Sequence, residues 1–167
     1  MKPRSIPIIL TLVLCLQGCK TVGKLSSSEL NPYRGAVKDI LPQSAGDYSL
    51  VHTSSLQEIE HDLVNPTDGV GAIYNSSNNH TVQHLLANFR SAAEANRELD
   101  AALKRYQDSH VNVRVEDVKD SIGQTVGKKL TVNDGKTEAL NWTNGSLYCT
   151  AVSYTGYSTE FAKNLPY

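Results

Sequence analysis

Two histidines, His80 and His84, are the residues of this chain whose type and spacing point most directly to chemistry. Imidazole nitrogens bind zinc and copper, and a spacing of four residues places both rings on one face of a helix or a strand. A zinc site needs further ligands, and no nearby cysteine or acidic pair supplies them. We therefore expect a solvated histidine pair and no cofactor, with His80 and His84 as weak candidates for a metal site.

A second polar cluster contains Glu58, Glu60, His61 and Asp62. Such a group could bind a cation or exchange protons with a substrate. Runs of charged residues more commonly face water, because burying several charges is costly. A solvated acidic turn is therefore the expectation for this cluster.

Nucleophilic catalysis finds little support in the sequence. Cys149 alternates with Leu147 and Ala151, which predicts a small buried core residue whose thiol is inert. The chain has no Gly-x-Ser-x-Gly elbow, no Gly-rich phosphate loop and no Ser-x-x-Lys pattern. We expect that the protein is not an enzyme.

The elements around these residues are mostly strands. Alternation predicts strands near residues 46–52, at 70–75 and at 111–116, whereas residues 80–88 fit either a strand or a helical stripe. Ser91-Ala92-Ala93-Glu94 has the form of a capping box, so a long helix should begin there. This start favours a strand for residues 80–88.

The last third of the chain has the pattern of a meander. Asn144-Gly145 predicts a type I′ hairpin turn, in which both central residues have positive φ, and Ser158 can cap a final short helix. The order of elements predicts an α+β domain: an antiparallel sheet of about six to seven strands, with one long and one short helix packed on one face.

One face of the last predicted strand is rich in tyrosine. Tyr148, Val152 and Tyr154 share a face of the last strand, and Tyr157 follows closely, so together they form a candidate binding surface. Tyrosine gives contact area at low entropic cost, which suits a partner protein or a glycan. The alternative is a central strand that is covered on both sides.

The N-terminus has the features of an export signal. Lys2 and Arg4 precede an apolar run over residues 6–16, which is too short to span a membrane. The run ends in Leu16-Gln17-Gly18-Cys19, which resembles the lipobox of bacterial lipoproteins. Gln17 is less usual at its position than a small residue.

The resemblance implies cleavage between Gly18 and Cys19, with lipidation of Cys19 by diacylglycerol and a further acyl chain such as palmitate. Several acyl chains give a stable anchor, whereas one is marginal. Because Lys20 follows the cysteine, the resemblance implies a location in the cell envelope, at the outer membrane facing the periplasm. We thus expect a signal peptide at 1–18, a lipidated N-terminus and flexible tether at 19–45, and one globular domain at 46–167.

Four Asn-x-Ser/Thr sites keep open an alternative, a glycosylated eukaryotic secreted protein; they begin at Asn75, Asn79, Asn141 and Asn144.

The charge balance limits the classes of partner that the protein can bind. Without residues 1–18 the chain has 14 basic and 17 acidic residues, a net charge of −3. This balance offers no basic surface for nucleic acid.

Two functions fit these observations. The first is a membrane-anchored bacterial lipoprotein that presents a small non-enzymatic binding or scaffolding domain, with an envelope protein or peptidoglycan as partner. The second is a periplasmic lipoprotein that binds a small ligand or a metal through His80 and His84. The first predicts exposed Tyr148 and Tyr154, and the second predicts converging imidazoles in a cleft.

Overall fold

The computed structural model describes residues 24–26, 28–119 and 123–167. An eight-stranded antiparallel sheet with two α-helices confirms the predicted α+β class. The strands are β1 (Ser44–Ala45), β2 (Tyr48–Ser55), β3 (Asp68–Ser76), β4 (Thr81–Asn88), β5 (Val113–Lys119), β6 (Thr125–Asn133), β7 (Thr137–Asn144) and β8 (Leu147–Tyr154). The helices are α1 (Ala92–Asp108) and α2 (Tyr157–Ala162), and 3-10 turns occupy Val37–Ile40 and Leu56–Glu58.

The strand order across the sheet is β1-β2-β3-β4-β8-β7-β6-β5. Neighbouring strands are consecutive in the chain except at the centre, where β4 pairs with β8. Helix α1 connects β4 to β5, which lies at one edge of the sheet. The sheet therefore consists of two meanders that meet along β4 and β8.

The two helices pack on opposite faces of the sheet, so the prediction that they share one face is wrong. Ala95, Leu99 and Ala102 of α1 pack with Tyr148 of β8. Phe161 of α2 belongs to the other core cluster, which includes Cys149 of β8. Because successive strand residues point to opposite faces, β8 buries one set of side chains under each helix.

Residues 81–88 form a strand, as the position of the following helix cap predicted. The Ser91 hydroxyl accepts a hydrogen bond from the Glu94 amide at 3.3 Å, which confirms the start of α1. The return bond is displaced by one residue, since the Glu94 carboxylate accepts from the Arg90 amide at 3.2 Å rather than from Ser91. Two amides near the start of the helix are still satisfied.

The β7–β8 hairpin differs from the predicted turn. Asn144 pairs with Leu147, so the two loop residues are Gly145 and Ser146. Gly145 has φ +58°, whereas neither Asn144 nor Ser146 has positive φ. A single glycine in the first central position is typical of a type II′ turn rather than type I′.

Residues 30–45 contribute to the core, which corrects the prediction for this part of the flexible tether. Leu30, Val37 and Ile40 are buried in the cluster on the α2 face. The Leu30 carbonyl accepts from the Ser146 amide at 2.7 Å, which fixes the segment to the β7–β8 turn. Apolar residues without a regular period still bury surface, and this is why periodicity did not reveal them.

The predicted signal peptide, the predicted cleavage position at Gly18 and Cys19, and the predicted lipidation of Cys19 lie outside the described residues. Within the described residues, none of the helices has the length and apolar character needed to cross a membrane.

Candidate binding surface

The predicted tyrosine surface is divided by the fold. Tyr148 is only 2% exposed, because α1 covers it. Its hydroxyl donates to Asn141 Oδ1 at 2.9 Å. Val152 and Tyr154, on the same face of β8, are 38% and 69% exposed. Tyr148 is therefore a core residue, and only the end of the strand offers a surface.

Val152 and Tyr154 extend into a larger uncovered area on the α1 side of the sheet. Gln83 pairs with Val152 on one side and with Ile73 on the other. Leu85 lies two residues from Gln83 and therefore on the same face. We call this area the sheet-face patch; its members are Ile73, Gln83, Leu85, Val152 and Tyr154.

Two elements bound the sheet-face patch. Helix α1 contacts the sheet from β5 to β8. Across the sheet, the side chains of Leu56 and Ile59 lie over Gly69 and Gly71 of β3. The small glycines leave room for this loop, which packs on β3 at Gly69 and Gly71.

The chemistry of the sheet-face patch is neutral. None of its five residues carries a formal charge, and apolar side chains alternate with the Gln83 amide and the Tyr154 hydroxyl. Ile73 and Leu85 are half-buried, whereas Gln83 is exposed. A surface of this kind can bind a partner through apolar contact and hydrogen bonds without electrostatic steering.

Tyr157 lies apart from this patch. It begins α2, on the other side of the sheet, and its ring stacks on His80 with centroids 3.8 Å apart. Tyr157 also packs against the core cluster on that face. Tyr157, the fourth member of the predicted surface, is thus part of the packing of α2 against the sheet.

His84 occupies the core on the α2 face and is 2% exposed. Its Nδ1 lies 2.6 Å from the Thr150 carbonyl oxygen, and its Nε2 lies 2.8 Å from the Tyr167 hydroxyl. The carbonyl can only accept, so Nδ1 carries the proton and Nε2 accepts from Tyr167. Trp142 and Tyr167 lie nearly parallel to the imidazole, with ring centroids 6.0 Å away in each case.

This environment determines the charge state of His84. Burial lowers the pKa of the imidazole to about 4, and the hydrogen bond to Thr150 only partly opposes the shift. His84 is therefore neutral at physiological pH. Both of its ring nitrogens are already engaged, so neither has a free lone pair for a metal ion.

The two predicted polar sites do not assemble a metal centre in the described part of the chain. No group of three or more His, Cys, Asp or Glu side chains is placed to hold an ion there. Glu58 instead closes a capping box, accepting from the Ser55 amide at 2.7 Å. His61 Nδ1 accepts from the Leu63 amide at 3.2 Å. Glu58 and His61 therefore accept hydrogen bonds from nearby backbone amides.

Cys149 is fully buried, as its alternation predicted, and is a free thiol. Burial raises the pKa of this thiol well above its ordinary value. The protonated form is a poor nucleophile, so Cys149 serves as a core residue.

A groove of about 420 Å³ lies on the α2 face, between β5 and the C-terminal residues. Trp142, Asn144, Lys163 and Tyr167 are among the residues that line it. Glu116 and Lys129 form an ion pair of 2.8 Å on its far side. Their charges compensate each other, which reduces the attraction of this side for an ionic ligand.

Sequence reasoning missed three members of the sheet-face patch, Ile73, Gln83 and Leu85. The alternation of β3 and β4 places them on the face opposite Val70, Tyr74 and Val82, which are buried. That signal was present in the sequence. The pattern does not show which strands α1 packs on, and this decides whether such a face is covered.

No family model matches the chain, and no curated protein has a matching sequence. Among solved structures, the fold is similar to the crystal structure of a GTP binding regulator from Thermotoga maritima, with a TM-score of 0.51. The similarity covers 73% of this chain and 77% of that chain at 15% sequence identity. At this identity, the likeness is one of fold alone.

Proposed function

We propose that this chain is a membrane-anchored bacterial lipoprotein that presents a small, non-enzymatic binding or scaffolding domain in the cell envelope. The anchor is the diacylglycerol on Cys19, and the location is the outer membrane facing the periplasm. The ligand is an envelope protein or peptidoglycan. Support for the anchor comes from the lipobox-like Leu16-Gln17-Gly18-Cys19 behind a short apolar run.

The observation that carries the binding role is the exposure of Val152 and Tyr154 on an uncovered face of the sheet. An antiparallel sheet can leave a face open to water, but the residues on such a face are commonly polar. Neighbouring apolar side chains on an open face are typical of an interaction site, because they forgo their transfer free energy unless a partner covers them. Tyrosine combines a rigid apolar ring with a polar hydroxyl, and it is enriched where proteins bind partners.

A non-enzymatic role agrees with the state of the reactive side chains. The Cys149 thiol is buried and protonated, and the nitrogens of His84 are both engaged within the core. Neither group has access to a substrate in the described structure. The exposed polar residues of the sheet-face patch suit recognition rather than proton transfer.

The anchor is tested by the intact mass of the protein purified from its native membranes. Loss of residues 1–18 together with two or three acyl chains on Cys19 is the expected result. An unlipidated chain that retains those residues, or one with glycans at Asn75 or Asn79, would contradict the lipoprotein assignment.

The binding surface is tested by two matched variants, Val152→Asp and Val51→Asp. Both valines are exposed strand residues, at 38% and 59%, but only Val152 belongs to the sheet-face patch. Co-sedimentation with purified peptidoglycan and cross-linking in native membranes are the two assays. We expect Val152→Asp to lose the interaction and Val51→Asp to retain it; equal behaviour of the variants would exclude this surface.

A further inference from the structure

The N-terminal segment and the C-terminal residues pack together on the α2 face of the sheet, while Ser28 and Asn31 lie at the end of the sheet beside Ala92 and Asn96 of α1. The Leu25 amide donates to the Pro166 carbonyl at 3.0 Å. Leu30 and Val37 share a buried cluster with Phe161 and Leu165. The chain therefore leaves the fold toward Cys19 from a point beside Pro166. We call residues 24–45 and 157–167 the α2-side layer.

We propose that the α2-side layer faces the phospholipid headgroups and that the sheet-face patch points away from the membrane. The inference rests on the proposed lipid anchor at Cys19. It adds to the proposed function an orientation: which surface meets the anionic bilayer, and which remains available to a partner in the envelope.

The length of the tether decides the orientation. Five residues lie between Cys19 and Leu25, and the six Cα–Cα steps that join them span at most about 20 Å when fully extended. A domain of about 150 residues has a radius of gyration near 15 Å, which corresponds to a diameter of roughly 40 Å. Turning the α1 side to the membrane would require a path of about 60 Å around the domain. The tether is too short for that path.

Charge favours the same orientation. Residues 24–45 and 157–167 together contain four Lys or Arg and three Asp or Glu, whereas residues 46–156 contain nine and fourteen. Lys24, Arg34, Lys38 and Lys163 are all exposed. The α2-side layer is thus attracted to anionic lipids, and the remainder of the domain is repelled by them.

The test places a fluorescent label at either of two exposed lysines, through the variants Lys163→Cys and Lys104→Cys. Lys163 follows α2 in the α2-side layer, and Lys104 lies on α1 across the sheet. Each protein is purified from membranes and reconstituted in vesicles of phosphatidylethanolamine and phosphatidylglycerol that contain a headgroup-linked quencher. The buried Cys149 stays unlabelled in the folded protein.

We expect quenching at position 163 to exceed quenching at position 104 several-fold, and to weaken when phosphatidylcholine replaces the anionic lipid. Equal quenching, or stronger quenching at 104, would overturn the orientation. The mass of each sample separates this failure from failure of the anchor. An acylated protein with equal quenching refutes the orientation alone, whereas an unacylated protein refutes the proposed anchor and the orientation with it.

Discussion

The imidazole of His84 and the phenol of Tyr167 are joined by a hydrogen bond of 2.8 Å, and their rings lie within 14° of parallel. The two residues are 83 positions apart in sequence, so this contact connects the centre of the sheet to the C-terminal residues. Tyr167 satisfies the one nitrogen of His84 that Thr150 does not. The pair is one of several hydrogen-bonded polar contacts within the core.

Stability should fall with decreasing pH because of His84. Its folded pKa of about 4 is lower than the value of about 6.5 expected in the unfolded chain, so the unfolded state binds the proton more readily. This contribution is constant above pH 6.5 and is lost as the pH falls toward 4, by about 3 kcal/mol at most. Urea unfolding of the wild type and His84→Gln across this range measures it.

The wild type should lose more stability than His84→Gln between pH 7 and pH 4.5, while His52→Gln should follow the wild type because His52 is exposed. The comparison with His84→Gln is necessary because carboxylates with a lowered pKa also make the stability fall as the pH decreases. The hydrogen bond and ion pair with Lys129 lower the pKa of Glu116, and hydrogen bonds from Thr137 and Lys136 lower the pKa of Asp134. Identical slopes for wild type and His84→Gln would show that His84 is not buried as a neutral group.

Glu138 should stabilise α2. Its carboxylate is 6% exposed and accepts from the Thr159 amide at 2.9 Å and from the Thr159 hydroxyl at 2.8 Å. Helix α2 lacks a side-chain cap at Gly156, so Glu138 performs that role from β7. Glu138→Ala should lower the free energy of unfolding by about 1–2 kcal/mol, and Glu138→Gln by less.

Glu160→Ala is the control for this prediction, because Glu160 is exposed on α2 itself. Urea unfolding monitored by circular dichroism compares the three variants. A Glu138→Ala protein as stable as Glu160→Ala would rule out the capping role.

Two tyrosines on one strand face should respond differently to loss of their hydroxyls. Tyr148→Phe removes the buried donor to Asn141 and should cost about 1–2 kcal/mol. Tyr154→Phe removes an exposed hydroxyl and should change stability by less than about 0.5 kcal/mol. Melting temperatures of the two variants provide the measurement, and a Tyr154 effect as large as that of Tyr148 would contradict the burial described.

Two glycines with positive φ provide a matched test of the contact between the β7–β8 turn and the N-terminal segment. A Cβ at Gly135 would meet nothing within 4 Å, whereas a Cβ at Gly145 would lie 2.2 Å from the Leu30 carbonyl oxygen. Gly135→Ala should cost about 1 kcal/mol through its backbone conformation alone. Gly145→Ala should cost at least about 1 kcal/mol more, because it also displaces Leu30.

Limited proteolysis of the two glycine variants complements their unfolding curves. Cleavage before residue 45 should accelerate in Gly145→Ala and remain slow in Gly135→Ala. Equal rates in both would mean that the segment is not held by the β7–β8 turn.

Local patterns predicted much of the secondary structure. The alternation of residues 147–154 and the Ser91 cap both correspond to elements of the fold, because they depend on neighbours within a few residues. The Asn-Gly turn lies where the sequence predicted it, but the two loop residues differ from the prediction by one position. Shifting the loop by one residue left the glycine in the single position that needs positive φ.

The arrangement of those elements could not be obtained in the same way. Whether α1 and α2 share a face depends on the path of the connection after β4, which no periodicity records. The same limit applies to the candidate surface. Tyr148 and Tyr154 occupy equivalent positions in the alternation of β8, and only the placement of α1 separates a buried residue from an exposed one.

The pairing of β4 with β8 has a consequence for how the domain assembles. Every other strand pairing joins strands that are consecutive in the chain, so each can form by closing a short loop. Leu86 must find Cys149 across 63 residues, and contacts of such sequence separation slow folding. We expect that the two preformed meanders, β1–β4 and β5–β8, join along this line in the step that limits the folding rate, so that mutations between β4 and β8 slow folding rather than accelerate unfolding.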